Sequence, residues 1–245
     1  MSTKRPGPPL ADHLRAADRK TTVILLAVTL LGVVFRYFGS KTFFLSHLAS
    51  RLPPGQDADL FGGLYTFGSS FVLFGLVPVL IVKTIFREPL SAYGVTLGDW
   101  SFGWKVVLFT LPLSLALSFG ASRDPAFLAE YPLIRAATGS AAVFTGHAAA
   151  YLLFYIGWEV AFRGFVQFGL RGVMGDWNAI LVQTLGTCLL HIGKPFGETM
   201  GAIVGGIVWG VIAFRSRSLL YPVLTHWLLG ISLDLFIALR GAEVR

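Results

Sequence analysis

Glu159 and Arg163 stand four residues apart inside the hydrophobic run from Ser140 to Leu170, and two later runs each carry a lone histidine, His191 and His226. Ionisable groups are expensive in hydrocarbon, so their recurrence at similar depth points to a polar site inside a membrane bundle. A carboxylate there can take a proton from water, while neutral imidazoles orient that water or donate hydrogen bonds to a developing oxyanion. Arg163, at i+4 and following the acid, shares its helix face and would hold or neutralise the Glu159 carboxylate. The same pair can also serve only to keep two charges out of lipid.

The elements that must position these groups are long and apolar. The 245 residues are 54% hydrophobic and 13% charged, a composition that a soluble domain of this length would not tolerate on its surface. Runs of spanning length, needing ~20 residues each, fall at roughly 21–38, 60–83, 102–120, 140–170, 177–193, 199–215 and 218–239. The chain reads as an all-α polytopic membrane protein, a single bundle of about seven transmembrane helices over residues 21–245. A basic cytoplasmic segment, residues 1–20, precedes it. The first run lacks an A-x-A-like cleavage site and is expected to be retained as a helix. The net charge of +7 is spread over termini and short loops without aromatic interleaving, which suits anionic lipid rather than nucleic acid. With the N-terminus cytoplasmic, Lys83, Arg87, Arg171, Arg215 and Arg217 fall inside, and Lys41, Arg51, Arg123, Arg135, Arg240 and Arg245 outside. Counted with Lys4, Arg5, Arg15, Arg19 and Lys20 of the N-terminal segment, this is a modest inward bias that sets the expected orientation. Cys188, the single cysteine, reads as a packing residue.

At ~1.5 Å of rise per residue, Glu159, His191 and His226 share a band roughly 12–21 Å from the inner side. One cavity, open to that side, would unite them. Between the fifth and sixth runs, Gly193 and Pro195 must end a helix. Irregular backbone of this kind lines cavities because it cannot face lipid, which makes Lys194 and Glu198 possible site-lining residues. His147, ~18 Å from Glu159 by rise, is left out of the site. Arg36 and Lys105 lie near helix ends and are expected to snorkel.

The stretch Gly157-Trp-Glu-Val-Ala-Phe-Arg-Gly-Phe165, the later His191, and His226 after Ser218-Leu-Leu-Tyr-Pro222 resemble the CAAX-protease and bacteriocin-processing (CPBP) family of intramembrane glutamic endopeptidases. That family's pattern is E-E-x-x-x-R, F-x-x-x-H and H-x-x-x-N/D/small, here over about residues 140–234. Arg163 aligns with the motif arginine, Glu159 with the second glutamate, and Trp158 with the first, the one thought to activate water. Thr187 stands where phenylalanine is usual, and Gly230 replaces the asparagine or aspartate. Asp234 is two turns beyond His226, ~12 Å by rise, too far to bond it but able to serve a neighbouring helix. The resemblance implies an endopeptidase without metal or organic cofactor, acting on a membrane-associated protein or peptide in the lipid bilayer. Glu159, His191, His226 and Arg163 would be its catalytic set, with Trp158, Lys194, Glu198 and Asp234 lining the site.

Three other readings remain open. A non-catalytic member, such as an immunity or scaffold protein, would keep the bundle but have lost its base through Trp158. A small transporter would titrate Glu159, His191 and His226 in turn, against which the absence of an internal repeat argues. Two histidines and a glutamate also form a hydrolytic zinc set, but no H-E-x-x-H helix supplies it.

Overall fold

The computed structural model describes residues 18–243, with side chains to residue 240. The segment bearing Lys4, Arg5 and Arg15 lies outside the described residues. The long elements are α1 (Arg19–Phe38), α3 (Ala58–Phe86), α4 (Trp100–Ala121), α6 (Ala141–Leu190), α7 (Phe196–Ser216) and α8 (Leu220–Glu243), with short helices α2 (Lys41–His47) and α5 (Pro125–Glu130) between them. Side-chain caps explain most starts, since the first turn of a helix leaves backbone N–H groups unpaired. Asp18, Ser40, Asp57, Asp99, Asp124 and Ser140 each accept from such an N–H at the head of their helix.

Among the described residues, six helices are long and apolar enough to cross a membrane, and the protein is an all-α integral membrane protein. The expected count of seven differs because runs 140–170 and 177–193 form one helix, α6, of 50 residues. Its ladder is broken at Gly175, whose φ of 75° and ψ of 166° are not helical. There the chain folds back: Gly186 on the second arm lies against Phe162 on the first. Both sequence runs thus survive as the arms of a helical hairpin. Within the first arm, residues Val160–Phe168 are wound more loosely, with a π-helical pattern, a feature often found at functional sites.

The helices approach closely where side chains vanish. A Cβ on Gly157 of α6 would lie 2.9 Å from the Phe71 Cα of α3, and beside it Ser70 donates to the Phe154 carbonyl (3.2 Å). On α4, Ser118 donates across to the Leu229 carbonyl of α8 (2.9 Å). Small residues and interhelical hydrogen bonds of this type hold membrane bundles, where lipid removes the hydrophobic drive between helices.

Charge marks the two ends of the bundle. Lys20–Glu88, Arg171–Asp176 and Arg215–Asp99 pair at one end. Lys41–Asp59 and Lys194–Glu130 pair at the other, where Arg135 also bonds the Leu128 and Tyr131 carbonyls.

Candidate active site

A polar ladder runs along the first arm of α6. His147, Tyr151, Tyr155, Glu159, Arg163 and Gln167 follow one another at four-residue steps, and all are buried. In a straight α-helix of 3.6 residues per turn such a stripe creeps around the axis. The wider turn from Val160 to Phe168 slows that creep and keeps Arg163 and Gln167 turned into the bundle. α8 faces it with its own four-residue stripe, His226, Gly230 and Asp234. The two meet rung by rung: His226 with Glu159, Gly230 with Tyr155, Asp234 with His147.

The Glu159 rung is the most constrained. His226 Nδ1 lies 2.7 Å from Glu159 Oε1, and Arg163 Nε lies 3.3 Å from Oε2. Neither Glu159 nor Arg163 is exposed beyond 1%, so the pair compensates two charges that lipid and protein would otherwise penalise. The carboxylate accepts the Nδ1–H of His226, which fixes the tautomer and leaves Nε2 as the ring's remaining polar atom. A neutral His226 presents an acceptor there. It becomes an oxyanion donor only when doubly protonated. Trp209 stacks on the imidazole at 3.7 Å between centroids and Tyr155 packs against the same ring at 4.6 Å, so it has little rotational freedom.

His191 does not hydrogen-bond Glu159. It caps the end of α6, with Nδ1 2.7 Å from the Thr187 carbonyl, and its ring meets Trp158 edge-on at 5.5 Å. Trp158 itself is buried against Phe74, Phe154 and Phe162, so the position of the first motif glutamate is filled by an apolar wall beside the histidine. Across from it, Glu198 in the first turn of α7 places Oε1 3.9 Å from His191 Nε2, and accepts from the Tyr131 hydroxyl at 2.7 Å. Burial and then the Glu198 charge push the Tyr131 hydroxyl well above its usual range, which keeps it a donor. Lys194 is turned away from the histidine and pairs with Glu130. Gly193, at φ 97°, makes the turn that separates α6 from α7.

The structure therefore brings Glu159, Arg163 and His226 into direct contact, sets Trp158 against His191 and His191 near Glu198, and leaves Lys194 paired with Glu130. The partly accessible groups, His191, Glu198 and Lys194, lie at the end carrying Glu130 and Arg135. That is opposite the end with Lys20 and Arg171, the end that the charge bias made cytoplasmic. The reason is that His191 ends its helix and stands at the edge of the bundle. Asp234 is not beside His226 either: it bonds His147 Nε2 at 2.7 Å, with both side chains 1% exposed or less. Asp234, expected as a lining residue able to serve a neighbouring helix, thus bonds His147, the residue left out of the site. Tyr155 and Trp209, which both pack against the His226 ring, are neighbours of the candidate site that the motif reading missed. The recurring four-residue step through His147, Tyr151 and Tyr155 was the available signal. Among the described residues, no three His, Cys, Asp or Glu side chains converge as a metal set.

Comparison with known proteins bears on this same stretch. Residues 140–231 match the family model of type II CAAX prenyl endopeptidases, Rce1-like. The match spans both arms of α6, all of α7 and the first half of α8, which is the polar ladder and its surroundings. It accords with the resemblance carried by Glu159, Arg163, His191 and His226. No curated protein and no solved structure gives a significant match. The departures inside the Rce1-like stretch are Trp158, Thr187 and Gly230, and one of them has a visible replacement. A Cβ on Gly230 would fall within the envelope of the Tyr155 hydroxyl and 2.9 Å from its Cζ. Tyr155 occupies the space that a side chain at the third motif position would take.

Proposed function

We propose that the protein is an intramembrane endopeptidase of the CAAX-protease type, hydrolysing a peptide bond of a membrane-associated protein near its membrane-embedded end. The observation that carries this reading is the Glu159–His226 hydrogen bond held by Arg163, inside the Rce1-like stretch. A carboxylate that fixes one nitrogen of an imidazole and frees the other is a device for moving protons at that second nitrogen. Glu159 then orients His226, Arg163 holds the Glu159 carboxylate in place, and His226 Nε2 stabilises the oxyanion of the reacting amide when charged. Tyr155, pressed against both His226 and Gly230, sets the ring's position. The mechanism asks for no organic cofactor. The setting fits a bacterial plasma membrane with the N-terminus, including residues 1–20, on the cytoplasmic side.

A second reading, a non-catalytic member of the same family, is favoured by one observation: Trp158 fills the first motif position and is 4% exposed. An internally quenched farnesylated peptide ending in Cys-aliphatic-aliphatic-X, offered to the purified full chain in proteoliposomes, separates the two. Cleavage with products identified by mass supports the endopeptidase. No product at micromolar enzyme over hours rejects it for that substrate class and favours the inert reading.

A further inference from the structure

We propose, resting on the endopeptidase reading, that Glu198 is the general base of the reaction and works with His191 from the neighbouring helix, in place of the glutamate that Trp158 has displaced. The argument begins with access. Glu159 is sealed, its side chain 0% exposed and both oxygens directed at His226 and Arg163, whereas Glu198 and His191 are 19% and 18% exposed. Of the two carboxylates, only that of Glu198 stands on a partly open side chain at a helix end; beside the sealed Glu159, His226 is 14% exposed.

Geometry then supplies the roles. A carbonyl cannot donate, so the 2.7 Å contact between His191 Nδ1 and the Thr187 oxygen requires Nδ1 to carry the hydrogen. The neutral ring therefore turns the lone pair of Nε2 towards Glu198 Oε1, 3.9 Å away. That separation is too long for a direct hydrogen bond, and two acceptors facing one another invite a donor between or beside them. Water has two protons and suits the place. Tyr131 steadies Oε1 by its hydroxyl at 2.7 Å, and Oε2 is buried without a partner. An orphaned carboxylate oxygen is costly to bury and asks for a function. Trp158 meets the edge of His191 at 5.5 Å, so the pair stands next to the position where the family pattern carries its water-activating acid. The base has moved from the same helix to the first turn of α7.

The step balances without any further reactant. Glu198 takes one proton from water as the water oxygen bonds to the carbonyl carbon, and the carbonyl π pair moves onto oxygen to give a tetrahedral oxyanion. On its collapse the C–N bond breaks and the leaving nitrogen takes the proton back from Glu198. A new carboxyl and a new amine result, and Glu198 returns to its carboxylate form.

The test uses the full chain in proteoliposomes with the quenched farnesylated peptide. Glu198→Gln still accepts the Tyr131 hydrogen bond but takes no proton, so kcat should fall by roughly 100-fold or more, with KM changed far less. The acidic limb of the pH–rate profile should vanish from its residual activity. Glu198→Asp keeps the charge but withdraws it by one methylene, and should show an intermediate kcat with a wild-type melting curve. Glu130→Gln, which disturbs only the partner of Lys194, should keep wild-type turnover. Glu198→Gln and Glu198→Asp both cleaving at the wild-type rate would overturn the assignment and leave the endopeptidase standing. A wild-type enzyme inert to the peptide would overturn the endopeptidase reading and the role of Glu198 with it.

Discussion

Filling Gly230 should damage the protein in a way that a change at Tyr155 partly repairs. A methyl at residue 230 would enter the Tyr155 hydroxyl and sit 2.9 Å from Cζ and 3.3 Å from Cε2, all closer than ordinary carbon contact at about 3.5–4.0 Å. Tyr155 has nowhere easy to retreat: Tyr151 lies at 4.7 Å, Phe154 at 5.6 Å and His226 at 4.6 Å between ring centroids. Overpacking of this kind costs about 1–3 kcal/mol, which for a chain of this size lowers the melting temperature by roughly 2–12 °C. Tyr155→Phe removes the hydroxyl, the worst of the overlap, but leaves Cζ. The double variant should therefore recover part of the loss, with a coupling of about 0.5–3 kcal/mol. Tryptophan fluorescence melts of wild type, Gly230→Ala, Tyr155→Phe and the double variant, in one detergent, measure this. Because His226 leans on Tyr155, Gly230→Ala should also lower turnover, and Gly230→Asn, which restores the family's side chain, should do worse. Losses that simply add in the double variant, or a Gly230→Ala melt equal to wild type, would refute the packing argument.

Glu159→Gln should cost about 3–5 kcal/mol, because it leaves the Arg163 charge buried and unpaired; Glu159→Gln combined with Arg163→Met should melt closer to wild type, and equal melts for the single and double variants would count against the pair. Asp234→Asn should lower the melting temperature while leaving kcat/KM within a few-fold of wild type, since the His147–Asp234 rung braces the helices away from the reacting groups; a collapse in turnover without a change in melting would place it in the chemistry instead. At the membrane edge, burial raises the Glu88 carboxyl but its bonds to Lys20 and Tyr93 outweigh that, so it titrates below its ordinary 4.5. Its contribution to stability is then complete above that value and is lost as pH falls through the lower, folded one. Melts between pH 6 and pH 3 should show this loss in wild type and a shallower one in Glu88→Gln, and parallel curves would remove Glu88 from the account.

Composition and spacing determined most of the scaffold. Apolar runs of ~20 residues admit little but helices, because lipid offers the backbone no hydrogen-bond partners. The cost of burying Glu159, Arg163, His191 and His226 in such runs marked them as a site before any contact was known. Only the tertiary structure decided how they divide. Distance along one helix says nothing of what a neighbouring helix brings to the same level. His147 and Asp234 thus looked stranded in the sequence, yet they bond each other across α6 and α8. The hairpin at Gly175 falls in the short stretch Arg171-Gly-Val-Met-Gly-Asp176 between two expected spans; the structure alone showed that one glycine with positive φ makes the break, with the helix resuming at once on either side. The same physics separates the two carboxylates. Glu159, in mid-helix, is sealed by partners from α6 and α8. Glu198, in the first turn of α7, stays within reach of water, because a helix end at the edge of a bundle has neighbours on fewer sides.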